Sequence, residues 1–141
     1  MTDRTFIDTN VLIYGHDVDA KSKHDVAKAV ISELWETHKG VLSTQVLEEF
    51  YVNVTRTIPH PLPKASARLV VSNYAMWCID MSHGEISLAF GIEDEYRIGF
   101  WDALIVASAV KGGADRILSE DLNAGQVIAG VRIENPFASL V

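Results

Sequence analysis

Four acidic positions, far apart in the chain, share a local setting. Asp8 directly follows the β-favouring run Thr5-Phe6-Ile7. Glu48 and Glu49 lie in the first turns of a helix that follows the short strand Val41-Leu42-Ser43. Asp102 opens the nearly all-apolar segment Trp101 to Lys111, and Asp121 comes two residues after the run Arg116-Ile117-Leu118-Ser119. If these strands run parallel, all the positions fall on the carboxyl edge of one sheet, where ligands of such sheets sit. Carboxylates gathered there repel one another unless a cation joins them. A few hard, partly hydrated oxygen donors suit Mg²⁺ or Mn²⁺. One or two such ions bind a phosphodiester, lower the pKa of a water and stabilise the leaving oxygen of an in-line displacement. Each position also has an ordinary structural explanation. Asp8 can cap a turn of helix, Glu48, Glu49 and Asp102 suit the positive end of a helix dipole, and Asp121 suits an Asx-turn. Their common edge is what points to chemistry.

The elements that must position these groups alternate along the chain. Asp8-Thr9-Asn10 caps a helical turn over Val11 to Tyr14, and Gly15 to Ala20 reads as a loop. Val26, Ala29, Val30 and Leu34 fall at helical spacing in a helix from Ser22 to His38, which Gly40 closes. Ser43 or Thr44 caps the helix from about Gln45 to Thr57. Pro59, Pro61 and Pro63 make a rigid loop. Helix signals resume from Lys64 to Trp77, then a strand at Cys78-Ile79-Asp80, then a capping box at Ser82 and Glu85 that opens a helix toward Tyr96, broken by Gly99. Trp101 to Lys111 suits a buried helix ended by Gly112-Gly113, and Val131-Arg132-Ile133 is the last strand. Short apolar strands separated by helices predict an α/β fold with a parallel sheet covered on both faces.

With 141 residues the chain has the length of one domain, and residues 1–141 are read as a single one. A hydrophobic content of 48% excludes wholesale disorder. A net charge of −7 excludes a polycation that binds nucleic acid by bulk charge, but not one that reaches phosphates through metal ions. The one cysteine, Cys78, excludes an internal disulfide and every Cys-rich zinc site. No signal-peptide pattern and no apolar run near ~18 residues point to a cytoplasmic protein with no membrane span. A mean hydropathy of +0.13 suggests that a partner covers some apolar surface.

The run Phe-Ile-Asp8-Thr-Asn-Val-Leu-Ile-Tyr resembles the opening motif of PIN-domain ribonucleases, particularly the VapC-like toxins of type II toxin–antitoxin systems. Leu42-Ser-Thr-Gln-Val-Leu-Glu-Glu49-Phe-Tyr looks like the second acidic motif of that family, Phe100-Trp-Asp102-Ala-Leu-Ile-Val-Ala like the third, and Leu118-Ser-Glu-Asp121-Leu-Asn like the fourth. The resemblance implies a three-layer α/β/α PIN-like fold and endonucleolytic cleavage of RNA dependent on Mg²⁺ or Mn²⁺, leaving a 3′-hydroxyl and a 5′-phosphate. Carried over residue by residue, it implies an acidic quartet of Asp8, Glu49, Asp102 and Asp121, supported by Asn10 and Ser119. The family's Glu-Phe pair selects Glu49. The helical wheel leaves Glu48 open, because both glutamates flank the polar side of a face made by Val46, Leu47, Phe50, Tyr51 and Val54. Glu120 beside Asp121 is a similar alternative. The resemblance further implies a homodimer and a cognate antitoxin that inhibits the site, for instance by presenting an Arg to the carboxylates.

Several other residues have two readings. Arg56, His60, Lys64 and Arg68 cluster around the proline loop and could follow a phosphate backbone, but a solvated surface is the favoured reading. Tyr14 and Trp101 could stack on bases, but core packing is favoured. His16 and His24 read as solvent-exposed. A haloacid-dehalogenase-type phosphatase needs a carboxylate where Asn10 stands, and a receiver domain needs a strand-exit Lys that Arg132 and Asn135 do not supply. A catalytically inactive PIN-like module that binds RNA or protein remains the non-enzymatic alternative.

Overall fold

A computed structural model describes residues 3–140. Its strands are β1 (Thr5–Ile7), β2 (Gly40–Ser43), β3 (Cys78–Ile79), β4 (Arg116–Leu118), β5 (Val127–Ile128) and β6 (Val131–Glu134). The helices are α1 (Thr9–Tyr14), α2 (Ser22–Thr37), α3 (Thr44–Arg56), α4 (Lys64–Tyr74), α5 (His83–Tyr96) and α6 (Phe100–Lys111). Single 3₁₀ turns cover Val18–Ala20 and Ala75–Trp77.

The sheet order is β3-β2-β1-β4-β6-β5. Every neighbouring pair is parallel except β5 with β6. The chain moves outward from β1 through β2 to β3, then returns across the sheet to β4 beside β1. With right-handed crossovers, these opposite directions place the two sets of connecting helices on opposite faces, giving a three-layer α/β/α architecture. All three residues of β1 are buried, as a central parallel strand covered on both faces requires. α6 packs against β2, β4 and β6 and pairs with α5, and Ala103 to Ala109 are buried without interruption. α1 packs on α2 and α3, and α3 on α4.

The strand order reverses at β1 and β4. This is the switch point at whose carboxyl end a crevice opens, because the loops leaving the two strands turn apart. Asp8 leaves β1 there, and Ser119 to Asp121 leave β4.

The differences from expectation are local. The sheet is parallel in its body but carries an antiparallel edge strand, β5, that the sequence reading lacks. A two-residue strand has no alternation to detect. Gly40 starts β2 and does not close α2; His38 caps that helix in the left-handed conformation (φ 59°). Arg97 (φ 54°) likewise ends α5, which leaves Gly99 as the N-cap of α6. The expected helix Lys64 to Trp77 changes to a 3₁₀ turn after Tyr74.

Candidate active site

Asp8 is the N-cap of α1, and both of its carboxylate oxygens are engaged. Oδ1 accepts from the Thr9 N–H at 2.8 Å, and Oδ2 accepts from the Ser119 hydroxyl at 2.7 Å. The Asp8 N–H continues the ladder to the Leu118 carbonyl at 2.9 Å, so the residue is clamped to the end of β4. Ser119 is fully buried. Its Oγ also accepts from the Asp121 and Leu122 N–H groups, both at 3.2 Å. One hydroxyl therefore ties the exit of β1 to the turn that carries Asp121.

Asp102 is in the first turn of α6, whose positive dipole end favours a carboxylate. Glu49 lies on α3, which Ser43 opens by accepting from the Val46 N–H. These elements enclose a cavity of about 270 Å³ lined by Asp8, Asn10, Glu49, Asp102 and Asp121, with Thr9, Gln45, Asn53 and Trp101 among the other walls. Ser119 acts behind it, through Asp8.

Burial pushes the Asp8 carboxyl above its usual range, and the charges of Asp121 and Asp102 push the same way; the Ser119 and Thr9 hydrogen bonds pull it back. Asp102 is also raised, by burial first and then by Asp121. Ionising these groups together therefore costs free energy, which a cation would offset.

The glutamates separate. Glu49 lines this cavity and Glu48 does not; Glu48 borders the adjoining groove with Thr44, Met81 and His83, and both glutamates border a third recess beside Gln45 and Trp101. Glu120 is drawn away from Asp121, where it accepts from the Tyr14 hydroxyl at 2.9 Å and pairs with Lys23. Tyr14 is half-buried, edge-on to Phe137 with centroids 5.2 Å apart, so its ring is occupied. Trp101 reverses its expectation. It stands exposed in the cavity wall, ahead of the buried stretch of α6 that starts at Ala103. His16 does so too. It is half-buried, with Nε2 2.6 Å from the Tyr74 hydroxyl, and desolvation lowers its pKa to about 4. Around the proline loop, His60 pairs with Asp19 at 2.6 Å, and Arg68 donates to the Tyr51 hydroxyl at 3.2 Å.

Gln45 and Asn53 were not anticipated as wall residues. They stand four residues before and after Glu49, so the polar stripe 45-49-53 was a readable signal.

The donor set fits a hydrated Mg²⁺ or Mn²⁺. The polar groups lining the cavity are oxygen-rich, with no thiol or imidazole. The buried Oγ1 of Thr9, Oδ1 of Asn10 and Oε1 of Gln45 have no hydrogen-bond partner among the described residues, and all three residues line this cavity. Among the described residues, no three acidic, His or Cys groups close into a ready-made cage. An ion that keeps several waters needs only one or two direct carboxylates.

The sequence matches the PIN domain family over residues 5–128. The chain belongs to the PIN domain family. Solved structures share the fold at low identity. A toxin–antitoxin complex from Klebsiella pneumoniae is 18% identical, with a TM-score of 0.67 over 94% of this chain and 97% of that one. VapBC2 from Rickettsia felis, bound to a DNA fragment from its promoter, is 18% identical, with a TM-score of 0.64 over 93% of this chain and 97% of that one. VapC20 from Mycobacterium tuberculosis, a sarcin–ricin loop cleaving toxin, is 17% identical, with a TM-score of 0.60 over 83% of this chain and 89% of that one. No significant match to a curated protein is found.

Proposed function

We propose that this PIN domain, residues 1–141, is a divalent-metal-dependent endoribonuclease acting as the toxin of a toxin–antitoxin pair. The observation that carries the reading is the convergence of Asp8, Glu49, Asp102 and Asp121, from four separate segments, on one cavity at the sheet's switch point. Such a concentration of carboxylates has little structural use without a cation.

Asp8 and Asp102 would hold the principal ion, Glu49 would reach it directly or through water, and Asp121 would hold a second ion or orient waters. An Mg²⁺ or Mn²⁺ there supplies charge neutralisation for the phosphodiester and a more acidic water. The chain's own part is positional. Ser119 and the Thr9 N–H fix the Asp8 carboxylate, and the α6 dipole supports the charge of Asp102. Hydrolysis adds one water across the P–O bond and leaves a 3′-hydroxyl and a 5′-phosphate. No side chain need act as a covalent nucleophile.

The Klebsiella structure is described as a toxin–antitoxin complex, the Rickettsia one as VapBC2 bound to a promoter fragment, and VapC20 as a sarcin–ricin loop cleaving toxin. By that likeness this chain would bind an antitoxin. The homodimer implied by the motif resemblance and a cytoplasmic location belong to the same proposal. No helix among the described residues is long and apolar enough to cross a membrane.

The test is cleavage of structured RNA by the purified chain, abolished by EDTA and restored by Mn²⁺ or Mg²⁺. Asp102→Asn is the cleanest variant, because that carboxylate makes no hydrogen bond among the described residues that the replacement would break. Folded Asp102→Asn protein should lose at least about 100-fold in rate, the scale of several kcal/mol of electrostatic stabilisation. Full activity in that protein rejects the assignment.

A further inference from the structure

We propose that Trp101 is a base-stacking platform: the nucleotide flanking the cleaved phosphodiester lays its base on the indole and turns its edge into the groove alongside. This rests on the nuclease reading above.

Trp101 is 66% exposed, although it lies in the first turn of α6, whose residues Ala103 to Ala109 are all buried. Its ring is held edge-on by Phe100, with centroids 5.3 Å apart at 70°, and Phe100 leans on Phe90 at 5.7 Å. The indole borders the acidic cavity and also a groove of about 470 Å³, a size suited to a small organic ligand. Met81, Ile86 and Leu104 give that groove apolar surface, and Thr44 and His83 give it hydrogen-bonding groups. Apolar walls with a few polar groups suit the face and edge of a base.

Two further observations favour a base over phosphate backbone. Glu48 borders the groove, and its lining has no Lys or Arg, so an anion is repelled where a neutral base is not. Gln45 borders both cavity and groove, and its buried Oε1 lacks a partner among the described residues; an exocyclic amine or a ribose hydroxyl would supply one. A base inside a duplex has both faces covered. The arrangement therefore selects RNA that is unpaired at this nucleotide.

The experiment maps the bond that the wild-type chain cleaves in an RNA oligonucleotide, then replaces each flanking nucleotide in turn with an abasic one. Wild type, Trp101→Ala and Trp101→Phe are compared by kcat/KM. At one flanking position the abasic substrate should cost wild type about 5- to 150-fold, the worth of one stacked base. Trp101→Ala should lose a similar factor on intact RNA and little more on the abasic one, and Trp101→Phe should recover most of the loss. Independent, multiplying losses overturn the proposal, as does unchanged kcat/KM in Trp101→Ala. So does conversion of a dimer to a monomer by that variant in sedimentation, which assigns the indole to a protein contact. No cleavage by wild type with either metal removes the nuclease reading and this inference together, whereas cleavage with multiplying losses removes only the inference.

Discussion

Replacing Ser119 with Ala removes one oxygen and three hydrogen bonds: the 2.7 Å bond to the Asp8 carboxylate and the two 3.2 Å bonds from the Asp121 and Leu122 N–H groups. A bond to a charged group is worth ~1.5–3 kcal/mol and a neutral one ~0.5–1.5. The neutral pair shares one acceptor, and Asp121 is exposed, so water can partly replace its bond. A net loss of about 3 kcal/mol is expected at pH 8 in EDTA. With m near 1–3 kcal/mol per molar urea, the midpoint should fall by roughly 1–3 M. The loss should also depend on pH. Asp8 is already raised in the fold, so its ionisation leaves stability intact below the ordinary value of 3.8 and erodes it as pH rises through the folded value. Ser119 bonds the ionised form and opposes that rise. Without it the folded value climbs further, and the variant should be less impaired at pH 5 than at pH 8. Urea titrations at both pH values test this. A loss below ~0.5 kcal/mol, or one equal at the two pH values, would refute the view that this hydroxyl organises the site.

Other outcomes rest on the same geometry. Saturating Mn²⁺, at about 100 times its Kd, should stabilise the wild-type chain by about 2.7 kcal/mol, and Asp102→Asn should lose most of that gain in a thermal melt. Glu49→Gln should weaken Mn²⁺ binding about 10- to 100-fold by calorimetry, whereas Glu48→Gln should leave it intact; equal effects would refute the separation of the two side chains. His16 has a folded pKa of about 4, so stability should be full above the ordinary 6.5 and fall as pH drops toward 4, by up to about 3 kcal/mol; His16→Gln should flatten that part of a pH–stability curve. His60 is raised by its bond to Asp19, so that pair helps below pH 6.5 and is lost as pH climbs through the folded value; NMR should find His60 back near 6.5 in Asp19→Asn.

Much of the design can be read locally. Thr5-Phe6-Ile7 is a buried strand because every residue favours β structure or burial, and Asp8 must then cap the helical turn after it. The capping box at Ser82 and Glu85 forms as its spacing demands, because both partners lie within one turn. Two strand-exit aspartates, Asp8 and Asp121, with Asp102 opening a helix between them in the chain, were enough to direct attention to one edge. These are short-range facts, set by side-chain shape, backbone propensity and neighbours a few residues away.

What local pattern could not settle depends on contacts between distant segments. Glu48 and Glu49 stand about 100° apart on one helix and flank the same apolar face; the packing of α3 against α1 decides which one meets Asp8 and Asp102. Trp101 has the composition of a core residue, but the tertiary packing of α6 buries the helix only from Ala103 onward and leaves the indole exposed. The charges of Asp102 and Asp121 that add to the burial of the Asp8 carboxyl come from distant parts of the chain, and Asp102 in turn feels Asp121 from a separate element. A one-dimensional pattern carries the preference of each residue for water or apolar surroundings. The field at a carboxylate depends on distances in space, and those exist only after β1, β4 and α6 have closed around the cavity.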